Sequence, residues 1–229
     1  MIPLYHDFTD ETVLVVGGGA VGARKASRFA DEARIVAVSP AFDDRLLELA
    51  ADDNGGGRSG VDLVRAAPDA DAVGDWIDRV APALVVAATD DAAVNAAIEA
   101  AAGERGIMVN RTDVSAGPES DGRDANSVIV PATVDDGSVR VALSTGGASP
   151  ALAKALRERI ETEIEGAGAM ASLSGQLRAE LKARGIAPER RREAIRRVVR
   201  SDGVWKALQK GRSYGREEAD SVIEEVLTR

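Results

Sequence analysis

Three glycines, Gly17, Gly19 and Gly22, stand at G-x-G-x-x-G spacing directly after the apolar run Thr12-Val13-Leu14-Val15-Val16. A short β-branched run of this kind reads as a buried parallel strand, and the glycines then turn the chain into a helix, predicted over Ala20–Ala30. The chemistry such a turn supports is dinucleotide binding. Gly17 permits the bend, Gly19 has no Cβ to hold a pyrophosphate off the backbone, and Gly22 lets helix and strand pack closely. Free N–H groups at the helix N-terminus then face the phosphates. A glycine cluster after a strand can also be only a loop; the strand before it and the Ala-rich run after it favour the dinucleotide turn.

Further polar residues fall at strand ends, where parallel sheets bind ligands. Ser39 occupies the end of the second strand, where dinucleotide folds often carry a ribose-binding carboxylate, so the choice between NAD and NADP stays open. Thr89-Asp90-Asp91 follows the strand Leu84–Ala88, and either aspartate reads equally well as a helix N-cap. Asp113 follows the strand Ile107–Asn110 and reads, from its residues alone, as a turn aspartate bonded to nearby backbone N–H groups. Thr145-Gly146-Gly147-Ala148 precedes Ser149-Pro150, a helix start signal; the glycines make either an anion seat or a simple turn. The chain has no cysteine and one histidine, His6, which excludes thiolate chemistry and disulfides. His6, lone and near the amino terminus, reads as a surface or packing residue.

The elements that must position these groups alternate. Strands are predicted at Thr12–Val16, Arg34–Ser39, Val61–Ala66, Leu84–Ala88 and Ile107–Asn110. Helices lie between them at Ala20–Ala30, Phe42–Asp52, Ala70–Arg79 and Ala92–Ala102, with Asn54-Gly55-Gly56-Gly57 as a break. This alternation predicts an α/β fold with a Rossmann-type doubly wound parallel sheet. Ser115–Asn126, rich in Gly, Ser, Asp and Pro, reads as a loop. Strands at Ser127–Val134 and Val139–Ser144 flank a hairpin turn at Asp135–Ser138, and a helix runs from Pro150 to about Glu163. Helices at Met170–Arg184, Pro188–Arg200, Val204–Gln209 and Glu217–Thr228 complete the chain. At 229 residues there is room for a Rossmann unit and something smaller.

The net charge of −9 argues against a nucleic-acid binder. No window has the length and apolarity of a membrane span, so a soluble, cytoplasmic protein is expected. Abundant Asp, Ala and Gly with little Lys also suit a solvent of high salt. The charge is unevenly spread: Gln176–Arg200 holds nine basic and three acidic residues, a local +6 that leaves −15 for the remainder. Such a basic helical region is a receiver for a polyanion.

Gly17–Lys25, Ala87-Ala88-Thr89-Asp90-Asp91, Val109-Asn110, Asp113 and Ser144–Pro150 occur in this order, and together they resemble the precorrin-2 dehydrogenase family, also the dehydrogenase and ferrochelatase half of siroheme synthases. The likeness covers about residues 1–165; the basic tail matches only in character. It implies an NAD-binding Rossmann domain (1–113), a small α+β dimerisation domain (114–165) and a helical C-terminal domain on the substrate side (166–229), assembled as a homodimer. The implied reaction is NAD-dependent oxidation of precorrin-2 to sirohydrochlorin, and some members also insert ferrous iron. Cofactor contacts carry over to Gly17, Gly19, Ala20, Val21, Gly22, Pro40, Ala41, Thr89 and Asp90, with Ser39 at the strand end. The catalytic aspartate matches Asp113, and a serine that is phosphorylated in some members matches Thr145. The loop here is lengthened by Gly117–Asn126 and meets Val128 where the family commonly has phenylalanine.

Loss of a hydride also requires loss of a proton, so a base must accompany NAD⁺. With no cysteine and a single histidine, a carboxylate is the economical base, and Asp113 is the candidate. Thr145, Gly146 and Gly147, with tail arginines such as Arg191 and Arg192, are candidates for holding the substrate's carboxylates. No resident metal site is expected. An NAD-sensing regulatory module without catalysis would share the first 110 residues; Asp113 and the Ser144–Pro150 motif speak against it.

Overall fold

The computed structural model describes residues 3–52, 60–114 and 126–228. The Asn54–Gly57 break and nearly all of the Ser115–Asn126 loop lie outside the described residues. The chain forms two compact units, Met1–Val130 and Pro131–Arg229.

In the first unit five strands, β1 (Thr12–Val16), β2 (Arg34–Ser39), β3 (Val61–Arg65), β4 (Leu84–Ala87) and β5 (Met108–Arg111), form one parallel sheet in the order β3-β2-β1-β4-β5. Alternating side chains explain why β1 is apolar throughout. Val13 and Val15 join Ala23, Ala26 and Phe29 in a core on one face, while Leu14 and Val16 join Ile77, Val94 and Ile98 on the other. The helices supplying those faces are α1 (Ala20–Ala26), α2 (Asp44–Ala51), α3 (Val73–Val80) and α4 (Ala92–Glu104). The strand order reverses between β1 and β4, so the crevice beyond their carboxyl ends is where such a sheet takes a ligand.

Helix α1 is shorter than its alanine content predicts. Beyond Ala26 the backbone tightens into i→i+3 turns, Arg28 N–H to Lys25 O and Phe29 N–H to Ala26 O, and the Ser27 hydroxyl bonds back to Ala23 O.

The second unit opens with an antiparallel hairpin, β6 (Ala132–Asp136) and β7 (Val139–Leu143). The strand expected from Ser127 begins only at Ala132; Ser127 makes instead an isolated parallel bridge to Val109 beside β5. The hairpin turn is also tighter than expected, because Asp135 and Asp136 pair with Arg140 and Val139, leaving Gly137-Ser138 as a two-residue turn with Gly137 at φ +58°. Helix α5 (Pro150–Glu163) begins at its Ser149 cap. Helices α6 (Ala167–Ala183), α7 (Pro188–Val199), α8 (Asp202–Lys210) and α9 (Arg212–Thr228) share a core of Leu173, Leu177, Leu181, Val198, Val204 and Ile223. Helix α9 begins five residues earlier than Glu217. Gly215 sits inside it because a Cβ there would stand 2.4 Å from Leu208 Cδ2, so only glycine permits that crossing of α8. No helix among the described residues is long and apolar enough to cross a membrane.

Candidate active site

The glycine turn is held on both sides. Gly17 N–H donates to Val38 O at 3.0 Å, and Ala88 N–H donates to Val16 O at 2.8 Å. Gly17 lies at φ +112°, and a Cβ there would come within 2.3 Å of Ala88 O and 2.9 Å of Thr89 N. A Cβ on Gly22 would stand 2.0 Å from Gly17 O. These two glycines are therefore packing requirements of the turn itself.

Gly19 is different. A Cβ built on it meets nothing within 4 Å, so its bareness faces open space at the head of α1. A cradle of backbone with no side chain in front of it is what a pyrophosphate needs, and the residues present fit a dinucleotide.

Gly18, which the motif leaves unspecified, is as constrained as its neighbours. A Cβ there would stand 2.3 Å from Ala41 O and 2.8 Å from Ser39 Cβ. The structure thus brings the glycine turn against Ser39–Ala41 on one side and Ala88-Thr89 on the other. Ser39 is buried, whereas Pro40 and Ala41 are exposed, as are Ala20, Val21 and Asp90.

The loop after β4 is organised by Asn95, a residue the sequence did not single out. Fully buried on α4, Asn95 accepts through Oδ1 from Thr89 N at 3.2 Å and from Thr89 Oγ1 at 2.7 Å, and its Nδ2 donates to Thr89 O at 3.0 Å. Of the two N-cap candidates, Asp91 is the cap, accepting from Ala93 N and Val94 N. An asparagine near the start of an alanine-rich helix was the available signal, since a buried amide there must find local backbone partners.

Asp113 lies two residues past β5. Arg111 grips its carboxylate with Nε to Oδ1 at 3.1 Å and Nη2 to Oδ2 at 2.7 Å, and Arg111 Nη1 reaches Glu99 Oε2 at 2.8 Å. Arg111 is the chief partner of the carboxylate, and a backbone N–H of the kind a turn aspartate takes also contributes. Arg111 holds the Asp113 carboxyl below the usual carboxylate range, desolvation working against this, and the Arg111 guanidinium is raised in turn. Through Arg111, Asp113 is thus tied to Glu99 on α4, one turn beyond the Asn95 that holds the Thr89 loop.

Beside this network is a cleft of about 280 Å³, lined by Val21, Arg24 and Lys25 of α1 and by Asn110, Arg111 and Thr112 at the end of β5. Asn110 is 5% exposed; its Nδ2 donates to Val128 O at 2.8 Å, while Oδ1 has no partner among the described residues. Lys25 is lowered to about 8, by burial first and then by Arg28 and Arg24. His6 stacks at a tilt on Phe8, with ring centroids 4.5 Å apart, and packs as expected.

In the second unit Thr145, Gly146 and Gly147 form the turn between β7 and α5. Gly146 and Gly147 have φ of +63° and +82°. The Gly146 N–H donates to Ser144 Oγ at 3.1 Å and the Ala148 N–H to Thr145 O at 3.1 Å, and the Thr145 hydroxyl is bonded to the Ser149 backbone. Two of the amides expected to face an anion thus serve the turn itself.

Comparison with known proteins fits this geometry. The family model "Putative NAD(P)-binding" matches residues 4–132, more than half of the chain. The chain belongs to this NAD(P)-binding family. A second model, "Sirohaem biosynthesis protein central", matches residues 136–163. Siroheme synthase 1 of Aeromonas salmonicida is 36% identical over 213 residues, covering 92% of this chain and 41% of the relative. The siroheme synthase of Stutzerimonas stutzeri is 35% identical, covering 99% and 44%. The chain therefore spans less than half the length of these relatives. Among solved structures, "SirC, precorrin-2 dehydrogenase" superposes with a TM-score of 0.68 at 24% identity, covering 98% of this chain and all of that one, a likeness of fold. Together these bear out the resemblance to the precorrin-2 dehydrogenase family.

Proposed function

We propose that this chain is an NAD-dependent precorrin-2 dehydrogenase, which oxidises precorrin-2 to sirohydrochlorin with Asp113 as the base. The observation that carries the reading is that Arg111 ties Asp113 to Glu99 of α4, the same helix whose Asn95 holds the Thr89 loop that abuts the glycine turn. NAD⁺, when bound, supplies the hydride acceptor. Gly17, Gly19, Ala20, Val21 and Gly22 hold its phosphates, with Ser39, Pro40, Ala41, Thr89 and Asp90 around the rest of the cofactor. Arg111 keeps Asp113 ionised and fixes both of its oxygens, so the carboxylate can take the proton that leaves the reduced macrocycle. An ionised acceptor beside the cofactor is what a dehydrogenase needs and an NAD sensor does not.

On the same reading the chain divides into a cofactor domain (1–113), a dimerisation domain (114–165) and a helical substrate-side domain (166–229), works as a cytoplasmic homodimer, and presents Thr145, Gly146 and Gly147 to the substrate. The test is spectroscopic. Purified protein with precorrin-2 and NAD⁺ should develop the sirohydrochlorin spectrum together with NADH; binding of NAD with no change in the tetrapyrrole would mark a sensor instead.

A further inference from the structure

The end of β2 leaves open which dinucleotide the site accepts, and the neighbouring strand carries a charge that bears on the choice. In dinucleotide folds the adenosine ribose lies at the end of the second strand, where a carboxylate favours NAD and a nearby arginine accommodates the 2′-phosphate of NADP. Here that strand ends in Ser39, and Ser39 pairs in register with Arg65, the last residue of β3. Alternation fixes the face. Ala37 of β2 and Val61 and Leu63 of β3 pack in the core that α1 covers, so Ser39 and Arg65 belong to that side of the sheet.

Arg65 is exposed on the edge strand, and no carboxylate pairs with it among the described residues. By contrast Arg34, at the opposite end of β2, is committed to Asp62, with Nε donating to Oδ2 at 2.9 Å. What holds Arg65 is Phe42: the guanidinium carbon stands 5.7 Å from the centre of its ring. Phe42 in turn abuts the glycine turn, since a Cβ on Gly18 would come within 2.7 Å of Phe42 Cδ1 and 2.8 Å of Ser39 Cβ. The acidic residue that follows, Asp43, has its carboxylate engaged as the cap of α2, accepting from Arg45 N at 3.1 Å. The glycine turn, a strand end without a carboxylate, an aromatic ring and an arginine without an acidic partner thus stand side by side.

We propose that Arg65 gives the cofactor site dual specificity, receiving the 2′-phosphate of NADP⁺ while NAD⁺ remains admitted. A guanidinium meets a phosphate with paired N–H donors, and the Phe42 ring beneath it reduces the freedom lost when they meet. Ser39 brings no negative charge to repel that phosphate. NAD⁺ lacks the phosphate and makes no demand on Arg65. This role for Arg65 rests on the dinucleotide site proposed above and not on the tetrapyrrole chemistry.

The test is calorimetric titration of the full chain with NAD⁺ and with NADP⁺ at one ionic strength. Wild-type protein should bind the two within about tenfold of each other. Arg65→Ala should weaken NADP⁺ by about tenfold or more and change NAD⁺ by less than about twofold, at an unchanged melting temperature. Arg65→Lys, which keeps the charge and loses the planar fork, should fall between the two. A wild-type preference for NAD⁺ beyond about tenfold overturns the proposal. So does an Arg65→Ala variant that keeps its NADP⁺ affinity, or one that loses both nucleotides alike, which would assign Arg65 to the adenine or to the fold. NAD⁺ binding without NADP⁺ binding removes the role of Arg65 and keeps the dinucleotide site; binding of neither nucleotide removes both.

Discussion

Arg111 holds both carboxylate oxygens of Asp113, at 3.1 and 2.7 Å, and so keeps ionised the group assigned to take a proton. Because this guanidinium lowers the folded-state value of Asp113, the carboxylate is charged across the neutral range and protonates only at unusually low pH. The acid limb of kcat against pH should therefore lie below the ordinary carboxylate range. Arg111→Met should move that limb upward, and an unmoved limb would show that another group governs it. Stability follows the same sign: Asp113 contributes above its unfolded value, and the contribution fades as pH falls through the lowered one.

Gly22 and Gly19 belong to one motif but meet different surroundings. Gly22→Ala forces a Cβ to within 2.0 Å of Gly17 O and should destabilise the fold by about 1–3 kcal/mol or more, read as a lower melting temperature. Gly19→Ala meets no atom within 4 Å and should leave the melting temperature unchanged while weakening NAD binding by about tenfold, or about 1.4 kcal/mol. Calorimetry and NAD titration of the two variants check the split.

Asn95 saturates the Thr89 backbone and hydroxyl from a fully buried position. Asn95→Ala leaves those groups without their partner and should cost about 1–3 kcal/mol in denaturant unfolding. It should also raise the pH at which activity is lost in acid, because Asn95 helps lower Asp113.

Lys25 makes a prediction on the alkaline side. Its folded value is lowered to about 8 from an ordinary 10.5, so between those values the unfolded chain binds more protons, and stability rises with pH through this window. Lys25→Met should be more stable than wild type at neutral pH, with the advantage shrinking as pH is raised from about 8 towards 10.5. Melting temperatures of the two proteins across that range measure it.

Much of this was legible in the residues. Five apolar β-branched runs with helical spacers dictate a doubly wound sheet, and the spacing of Gly17, Gly19 and Gly22 marks its turn. What stayed hidden depends on partners distant in sequence. Nothing local says that Gly18 abuts Ala41, that Asn95 reaches back to Thr89, or that Gly215 lies inside a helix because Leu208 crosses it. Ser127–Val130 is as apolar as a hairpin strand, yet β6 starts only at Ala132. Part of that segment instead runs beside β5, with Val128 N–H on Val109 O at 2.8 Å. Likewise, charge counts disclose a basic tail, but only folding shows that Arg190 is tied to the end of α9 through Val226 O.

The most direct measurement is kcat for precorrin-2 oxidation by Asp113→Asn, taken alongside the Kd for NAD of the same variant. The amide keeps the size of the side chain and removes its basicity. NADH formation should fall to background while NAD affinity stays within about twofold of wild type. Turnover at the wild-type rate in that variant would contradict the account.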